Sequence, residues 1–244
     1  MFLFKKKATQ TTDLSWLGTD LHSHLLPGID DGSQDISTSL ELLNGFAALG
    51  YKKIITTPHV LWEMYPNTTA IIQSKKELVR TAIQEAGINI EFGAAAEYYI
   101  DEHFQQQLKE KQPLLTIKNN LVLVEFSMIT APMDLLDVLF QMQVDGYQPI
   151  IAHPERYIYL HNRKEFFNQL KDSGCLFQLN LLSLTPHYGT SVQALAEYLL
   201  KHDLYDYAGT DLHSAKHLQA LQNLASSPLY TRLKESGKMK NHLL

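Results

Sequence analysis

NLVLVEFSMITAPMDLLDVLFQMQVDGYQPIIAHPE, residues 120–155, contains an apolar run, an amphipathic stretch and a second apolar run. Glu125 lies near the end of the first run, and His153 follows the second run 28 positions later. A strand, a crossover helix and a parallel strand together take roughly 30 residues. The interval therefore predicts that both side chains lie at the same end of two parallel strands.

The same interval recurs along the chain. It separates Asp31 from His59 and Glu97 from Glu125, and Asp211 follows the histidine of the second run by 58 positions, close to two intervals. Strand-length apolar runs alternate with amphipathic stretches about seven times, which predicts one α/β domain with a largely parallel sheet. The predicted strands span 16–24, 52–59, 88–97, 120–127, 147–155, 175–180 and 204–213.

The spacing also chooses between an open, doubly wound sheet and a closed barrel. The C-terminal strand ends of a barrel converge on one point, whereas the outer strands of an open sheet lie too far apart to share one centre. Recurrent polar side chains at these ends therefore favour the barrel. Helical patterns fill the intervals, and the second helix is expected to begin with Asn67 as N-cap and to end at Gly87.

Composition limits the class of protein. The chain has 244 residues, enough for one large domain, with 21 Lys and Arg against 26 Asp and Glu and a net charge of −5. This acidic balance argues against general binding to nucleic acid, which needs a basic face. No apolar run approaches the roughly 20 residues that cross a bilayer, so we expect no stable membrane insertion and a cytoplasmic location. Residues 1–15 are expected to form a flexible N-terminal lead before a single domain at 16–244.

Side chains that could bind a metal end six of the seven predicted strands. They are His22, His24, His59, Glu97, Glu125, His153, Asp211 and His213. Asp30 and Asp31 close the segment TDLHSHLLPGIDDG (19–32), which is either a polar turn or half of a metal site. The two glutamates follow apolar runs, where a carboxylate is costly without a cation. Nitrogen and oxygen donors without a thiolate suit Mn²⁺, Fe or Zn²⁺.

Six motifs resemble, in order, those of the polymerase and histidinol phosphatase (PHP) superfamily: DLHSH…DDG, TPH, GAAAEYY, VEFS, AHPERY and GTDLHS. The resemblance covers about residues 16–217 and is greatest to the capsule-regulating branch, the bacterial manganese-dependent protein-tyrosine phosphatases of the CpsB/YwqE type. It implies a distorted, TIM-like (β/α)7 barrel of the PHP type. It also implies three divalent metal ions at the C-terminal strand ends, with manganese the expected metal and iron or zinc the alternatives.

The same resemblance implies the ligands of each ion. The first ion would be bound by His22, His24, Glu97 and Asp211. The second would be bound by Glu97, Glu125 and His153, so that Glu97 bridges two ions. The third would be bound by Asp31, His59 and His213. Arg156 matches the family arginine that binds the phosphate, and Lys216 is the expected substitute for a second family arginine that DLHSAKHLQAL lacks. As a point charge, a lysine does not bind phosphate in a bidentate manner.

These features predict hydrolysis of a phosphomonoester. A hydroxide held by the metal ions would attack phosphorus in line, while Arg156 would stabilise the charge on the phosphoryl oxygens. A tyrosyl phenolate, with a parent pKa of about 10, leaves without strong acid assistance. The resemblance implies a phosphotyrosine-bearing protein as substrate, an autophosphorylated bacterial tyrosine kinase of capsular or exopolysaccharide synthesis. Six aromatic side chains are candidates to flank the phosphotyrosine ring: Trp62, Tyr65, Tyr98, Tyr99, Tyr157 and Tyr188.

Other functions stay open at this point. A histidinol-phosphate phosphatase would also hydrolyse a phosphomonoester, and a non-catalytic, metal-dependent module that binds a kinase is the alternative outside enzymes. A metal-dependent nuclease would need a basic track, which the composition does not suggest. A cysteine phosphatase is excluded because Cys175 is followed by LFQLNL, without the arginine of a Cys-x5-Arg loop. The remaining histidines are expected at the surface: His103, His161, His187, His202, His217 and His242.

Overall fold

The computed structural model describes residues 12–244. The strands in this range are β1 Thr19–Asp20, β2 Lys53–Thr56, β3 His59–Val60, β4 Glu91–Ala94, β5 Glu97–Tyr99, β6 Leu121–Glu125, β7 Gln148–Ala152, β8 Leu176–Asn180 and β9 Tyr207–Gly209. The α-helices are α1 Ile36–Ala48, α2 Thr69–Glu85, α3 Glu102–Lys109, α4 Leu135–Val144, α5 Glu165–Asp172, α6 Thr190–Lys201, α7 Ala215–Gln222 and α8 Pro228–Ser236. Each of these helices is too short or too polar to cross a bilayer.

The strands form the wall of a distorted barrel. We call each of its seven strand positions a stave, because two of these positions are occupied by two short strands in succession. β2 and β3 are successive parts of one stave and β4 and β5 of the next, and neighbours pair in the orders β1-β2-β4 and β3-β5-β6-β7-β8-β9. Every pair is parallel. The curled sheet closes beyond β1 and β9, where Asp211 N donates to His22 O (2.7 Å) and His24 N donates to Leu212 O (2.9 Å). The predicted seven-stave α/β barrel is therefore confirmed.

Two runs that were each predicted as one strand are divided. The run 52–59 is interrupted at Thr57 and Pro58, and β3 begins again at His59. Proline has no N–H to donate to a ladder, which ends the regular pairing of β2. The run 88–97 is likewise divided, between β4 and β5.

Alternating side chains along the strands build two cores. In β6, Val122 packs in the larger apolar cluster together with residues of the helices, whereas Leu123 packs in a small cluster made mostly of residues in the strands or next to them. Successive side chains of a strand point to opposite faces, so the small cluster fills the barrel interior. Glu125 lies two residues beyond Leu123, and Glu97 lies two residues beyond Ala95 of the same cluster. The alternation therefore directs both carboxylates inward at the barrel mouth.

The second helix begins one residue later than predicted. Its N-cap is Thr68, whose side chain accepts from the backbone three residues on. Asn67, predicted as the N-cap, instead donates from its side chain to Ile29 O (2.9 Å) and to His59 O (2.8 Å). It thereby holds together the two loops that follow the first and second staves. Gly87 follows the end of the helix with a φ of 65°, as predicted.

The domain begins earlier than predicted. Leu14 is fully buried in the larger core, and its N–H donates to Leu49 O (2.8 Å). Thr12 Oγ1 donates to Gln222 O (3.0 Å). Residues 12–15 are thus packed on the barrel, so the predicted flexible lead of 1–15 is too long. The part of that lead at 1–11 lies outside the described residues.

Candidate metal centre

Nine side chains meet at the C-terminal ends of the staves. They form four overlapping groups, in each of which one ligand atom per residue lies within 4.8 Å of all the others. The groups are His24, Asp31, His59 and His213; His22, His24 and Asp211; His22, Glu97 and His153; and His59, Glu97 and Glu125. Every residue expected from the sequence to bind a metal belongs to at least one group. The structure therefore brings the complete set together.

Glu97 lies at the centre of this cluster and is fully buried. Its Oε2 is 3.2 Å from His22 Nε2 and 3.1 Å from His59 Nδ1, and its Oε1 is 3.1 Å from His153 Nε2. Within residues 12–244, neither Glu97 Oε2 nor His59 Nδ1 has a hydrogen-bond partner. Leaving buried polar atoms without partners in this way is costly unless a cation binds between them. Imidazole nitrogens with carboxylate oxygens fit Mn²⁺, Fe or Zn²⁺.

The pKa values of the cluster show that it favours charge despite its burial. Burial opposes a charged imidazole, but the carboxylates of Glu97 and Asp211 outweigh it and raise the pKa of His22 to about 10. Burial also opposes a charged carboxylate, yet His22 and His59 hold the pKa of Glu97 well below its ordinary value. Protons and divalent cations compete for such ligands. Bound positive charge, from protons or from divalent cations, therefore stabilises this cluster of side chains.

Two buried side chains outside the ligand set fix the orientation of two imidazoles. His24 Nδ1 is 2.8 Å from Asp30 Oδ2, and His22 Nδ1 is 2.8 Å from Gln178 Oε1. Because both oxygens only accept, each Nδ1 carries a proton, and each Nε2 is the nitrogen that faces the cluster and can bind a cation in place of a proton. Such partners of metal-binding histidines set the ring tautomer. From the sequence, Asp30 was expected only as part of a segment that could be half of a metal site, and Gln178 had no expected role.

The backbone also aims two of the candidate ligands. His153 and Asp211 have left-handed conformations, with φ of 34° and 50°. In residues other than glycine such conformations cost roughly 1–3 kcal/mol and persist where the surroundings impose them. Here Asp211 Oδ2 accepts from Asn180 Nδ2 (2.9 Å), which fixes the carboxylate from the neighbouring stave.

An open cavity of about 490 Å³ lies over the cluster, and Arg156 forms part of its wall. Arg156 follows His153 in the short 3-10 turn Pro154–Arg156. Its Nη1 donates to Asp211 Oδ2 (3.0 Å), and its guanidinium carbon is 4.8 Å from the ring centroid of Tyr188. Since the guanidinium lies beside both the candidate ligands and the cavity, an anion in the cavity can contact the cluster and the arginine together.

Residues 18–237 match the model of the family described as capsular polysaccharide synthesis, CpsB/CapC. The chain belongs to the CpsB/CapC family.

Relatives of this CpsB/CapC-family chain have names that refer to phosphatases. It is 27% identical to tyrosine-protein phosphatase YwqE of Bacillus subtilis (strain 168) over 197 residues, which are 81% of this chain and 78% of YwqE. It is 28% identical to tyrosine-protein phosphatase CpsB of Streptococcus pneumoniae over 216 residues, 86% of this chain and 85% of CpsB.

Solved structures agree with this relationship. A crystal structure from a study of YwqE and Streptococcus pneumoniae CpsB, described as unique metal-dependent tyrosine phosphatases, matches with a TM-score of 0.81 and 26% identity over 93% of both chains. Histidinol phosphate phosphatase from Lactococcus lactis has a TM-score of 0.50 at 13% identity, over 90% of this chain and 94% of that one. The second match shows a shared fold only.

The CpsB/CapC-family chain differs from the sequence expectation at Lys216. This residue is exposed in the first turn of α7 and does not line the cavity. Successive residues of a helix point about 100° apart, and it is the next residue, His217, that lines the cavity. His217 was expected at the surface, but it is half-buried and its ring centroid is 5.6 Å from that of His213. The structure thus corrects the placement of both residues.

The aromatic candidates divide into two sets. Tyr65, Tyr99 and Tyr188 line the cavity. Tyr98 and Tyr157 are buried in the core, where their hydroxyl oxygens accept from backbone N–H groups. These two cannot flank a ligand, so their prediction as ring-flanking residues is wrong. Trp62 lines an adjoining cavity instead.

Proposed function

We propose that the protein is a metal-dependent protein-tyrosine phosphatase. The observation that carries this proposal is the convergence of nine side chains with nitrogen or oxygen ligand atoms, Glu97 among them, in one cluster beneath a cavity that Arg156 borders. Supporting it, relatives in the same family are named tyrosine-protein phosphatases. The reaction is hydrolysis of a phosphomonoester, in which water cleaves the bond between phosphorus and the tyrosyl oxygen.

We further propose that the cluster binds three divalent ions, with Mn²⁺ as the metal. His22, His24, Glu97 and Asp211 would hold the first ion; Glu97, Glu125 and His153 would hold the second; and Asp31, His59 and His213 would hold the third. Bound ions of this kind supply Lewis-acid activation of water and neutralise charge on the phosphoryl oxygens. With three dications bound, the four carboxylates would leave a formal charge of about +2, and the charge of the ions would dominate the local field.

The chain's own residues then bind and orient the ester. Arg156 is held beside the cluster by Asp211 Oδ2 and the ring of Tyr188, so its remaining N–H groups can donate to phosphate oxygens. Tyr65 and Tyr99 border the cavity and offer surfaces for the phenyl ring. The phenolate that departs has a parent pKa of about 10 and needs little help from an acid.

The proposed protein substrate is an autophosphorylated tyrosine kinase of capsular polysaccharide synthesis. Its support is the description of the family, which refers to that synthesis. A cytoplasmic location remains a prediction that accompanies this substrate.

A direct comparison of substrates tests the proposal. A phosphotyrosyl peptide and histidinol phosphate are assayed side by side with bound metal quantified, and we expect turnover of the peptide that Mn²⁺ supports and exhaustive chelation abolishes. The matched control is Cys175→Ala, because burial raises the pKa of this thiol to about 11 and leaves it unreactive. Full activity after chelation, or loss of activity in Cys175→Ala with the fold intact, would contradict the proposal. If histidinol phosphate is hydrolysed in preference to the peptide, the protein is a histidinol-phosphate phosphatase instead.

A further inference from the structure

A second cavity, of about 630 Å³, adjoins the cavity over the cluster. Leu61, Met64 and Tyr99 line both cavities, so the two lie side by side. We call the second cavity the acidic groove. Its remaining lining residues are Trp62, Glu63, Asp101, Glu102 and His103. They come from the loop after β3 and from the start of α3.

The indole of Trp62 forms an aromatic wall of the acidic groove. It stacks on His103, with ring centroids 3.8 Å apart and an interplanar angle of 13°, while 44% of Trp62 stays exposed. Trp62 N donates to Asp101 Oδ2 (3.2 Å), and Asp101 also caps α3 by accepting from Phe104 N (2.8 Å). The exposed aromatic surface is therefore fixed to the start of α3.

Three carboxylates line the acidic groove together with this indole, and none of the three is paired with a lysine or arginine of the described chain. Within residues 12–244, the ion pairs formed by lysine and arginine do not include Glu63, Asp101 or Glu102. No lysine or arginine of the described chain lines the groove. An exposed indole beside such carboxylates binds a guanidinium or ammonium group, through cation–π contact and charge-assisted hydrogen bonds.

We propose that the acidic groove binds an arginine or lysine side chain next to the phosphotyrosine of the protein substrate. This inference rests on the proposed function. The cluster with its cations and Arg156 attracts the phosphate, whereas the adjoining groove is acidic. The combined surface is therefore complementary to a segment that carries a dianion and a cation side by side. An extended segment advances about 3.3 Å per residue, so the neighbours of a phosphotyrosine are the residues that enter an adjoining groove.

Two phosphotyrosyl peptides that differ only in Arg or Glu at the flanking positions test the proposal, with p-nitrophenyl phosphate as a substrate without flanks. For the metal-loaded wild type at low salt, kcat/KM should favour the Arg peptide about tenfold, since an exposed cation–π contact and an exposed ion pair each contribute about two- to fivefold. The pair Glu63→Gln and Glu102→Gln should lower this ratio about fivefold. Trp62→Ala should lower it about threefold.

The control variant is Glu235→Gln, which removes one negative charge from an exposed position of α8. It should keep the wild-type preference. A ratio near one in the wild type, or a ratio that the groove substitutions leave unchanged, overturns the proposal. An equal loss of preference in Glu235→Gln assigns the effect to net charge and also overturns it. Failure of the proposed function gives a different result: neither peptide is hydrolysed at any salt concentration, and the groove then has no phosphotyrosyl segment to bind.

Discussion

Replacing Asp30 by Asn should weaken metal binding although Asp30 is not one of the candidate ligands. Asp30 Oδ2 accepts from His24 Nδ1 (2.8 Å) and from His59 N (3.2 Å), and Oδ1 accepts from Gly32 N (3.0 Å). The carboxylate thus satisfies three donors with two oxygens. An amide offers one oxygen and one NH₂ group, so at least one of these donors must face another donor.

The size of the effect follows from the direction in which the amide turns. With its oxygen toward His24, the Gly32 N–H loses its acceptor and His24 loses only the negative charge beside it, which should weaken metal affinity about tenfold. With its oxygen toward Gly32, His24 Nδ1 loses its acceptor and the ring tautomer is no longer fixed, so the loss should approach about 100-fold. Either arrangement leaves a buried donor unpaired and costs about 1–3 kcal/mol of stability.

Calorimetric titration of metal-free protein with Mn²⁺ measures this effect. The matched control is Asp35→Asn, which removes the same charge from the same segment. Asp35 is exposed and caps α1 by accepting from Thr38 N (2.8 Å), and asparagine is an equally good N-cap. The control should therefore bind Mn²⁺ as the wild type does. An Asp30→Asn variant that is folded and binds Mn²⁺ within twofold of the wild type would refute the positioning role.

Three further changes test other parts of the structure. Glu97→Gln removes the carboxylate proposed to bridge, so elemental analysis should find two ions fewer per chain; full metal content would contradict bridging. Arg156→Ala should raise KM for phosphate esters about tenfold or more at unchanged metal content. Arg156→Lys should recover only part of the lost substrate affinity, since an ammonium does not bind in a bidentate manner. A loss of bound metal would instead show that Arg156 supports the cluster. Asp206 is buried, which by itself raises its pKa, but Lys171 and Lys240 hold that pKa below the ordinary value. Asp206→Asn should therefore lower the free energy of unfolding by about 1–3 kcal/mol at pH 7. The difference should begin to shrink below about pH 4, where the carboxyl is protonated in the unfolded chain, and should shrink further as the native carboxyl is protonated at still lower pH. Thermal melts of both proteins at pH 7 and pH 3.5 measure this, and an equal difference at both pH values would exclude the ionic contribution.

The fold could be predicted because its signal is repeated. Apolar runs and polar strand ends return at a nearly constant interval, and Glu97 and Glu125 lie on the same face of successive staves, two register positions apart. Local detail was less accessible. Asn67 has the chemistry of an N-cap, but its side chain is used by Ile29 O and His59 O, contacts between loops distant in sequence. Competition between local and tertiary hydrogen bonds is not visible in the order of residues.

The same distinction applies to the site. The candidate ligands could be recognised because they are charged or imidazole side chains near apolar runs, and all of them meet in the structure. Gln178 and Asn180 lie on β8, the one predicted strand without a ligand, and a polar side chain inside the run CLFQLN was the only available signal. Lys216 and His217 are adjacent, and only the helix rotation decides which of them faces the cavity. The rotation of α7 about its own axis relative to the cavity is not given by the sequence alone.

The seam between the first and last staves has a consequence for the making of the protein. Thr210 N donates to Asp20 Oδ1 across 190 positions of chain, and candidate ligands stand on both sides of this join. A nascent chain whose last stave has not yet left the ribosome has His22 and His24 available, but not Asp211 and His213. Joining such remote segments is among the slow, entropically costly steps of folding. The proposed first and third ion sites would each take a ligand from the last stave, Asp211 or His213, so neither of these two sites can be complete before that stave has joined the barrel.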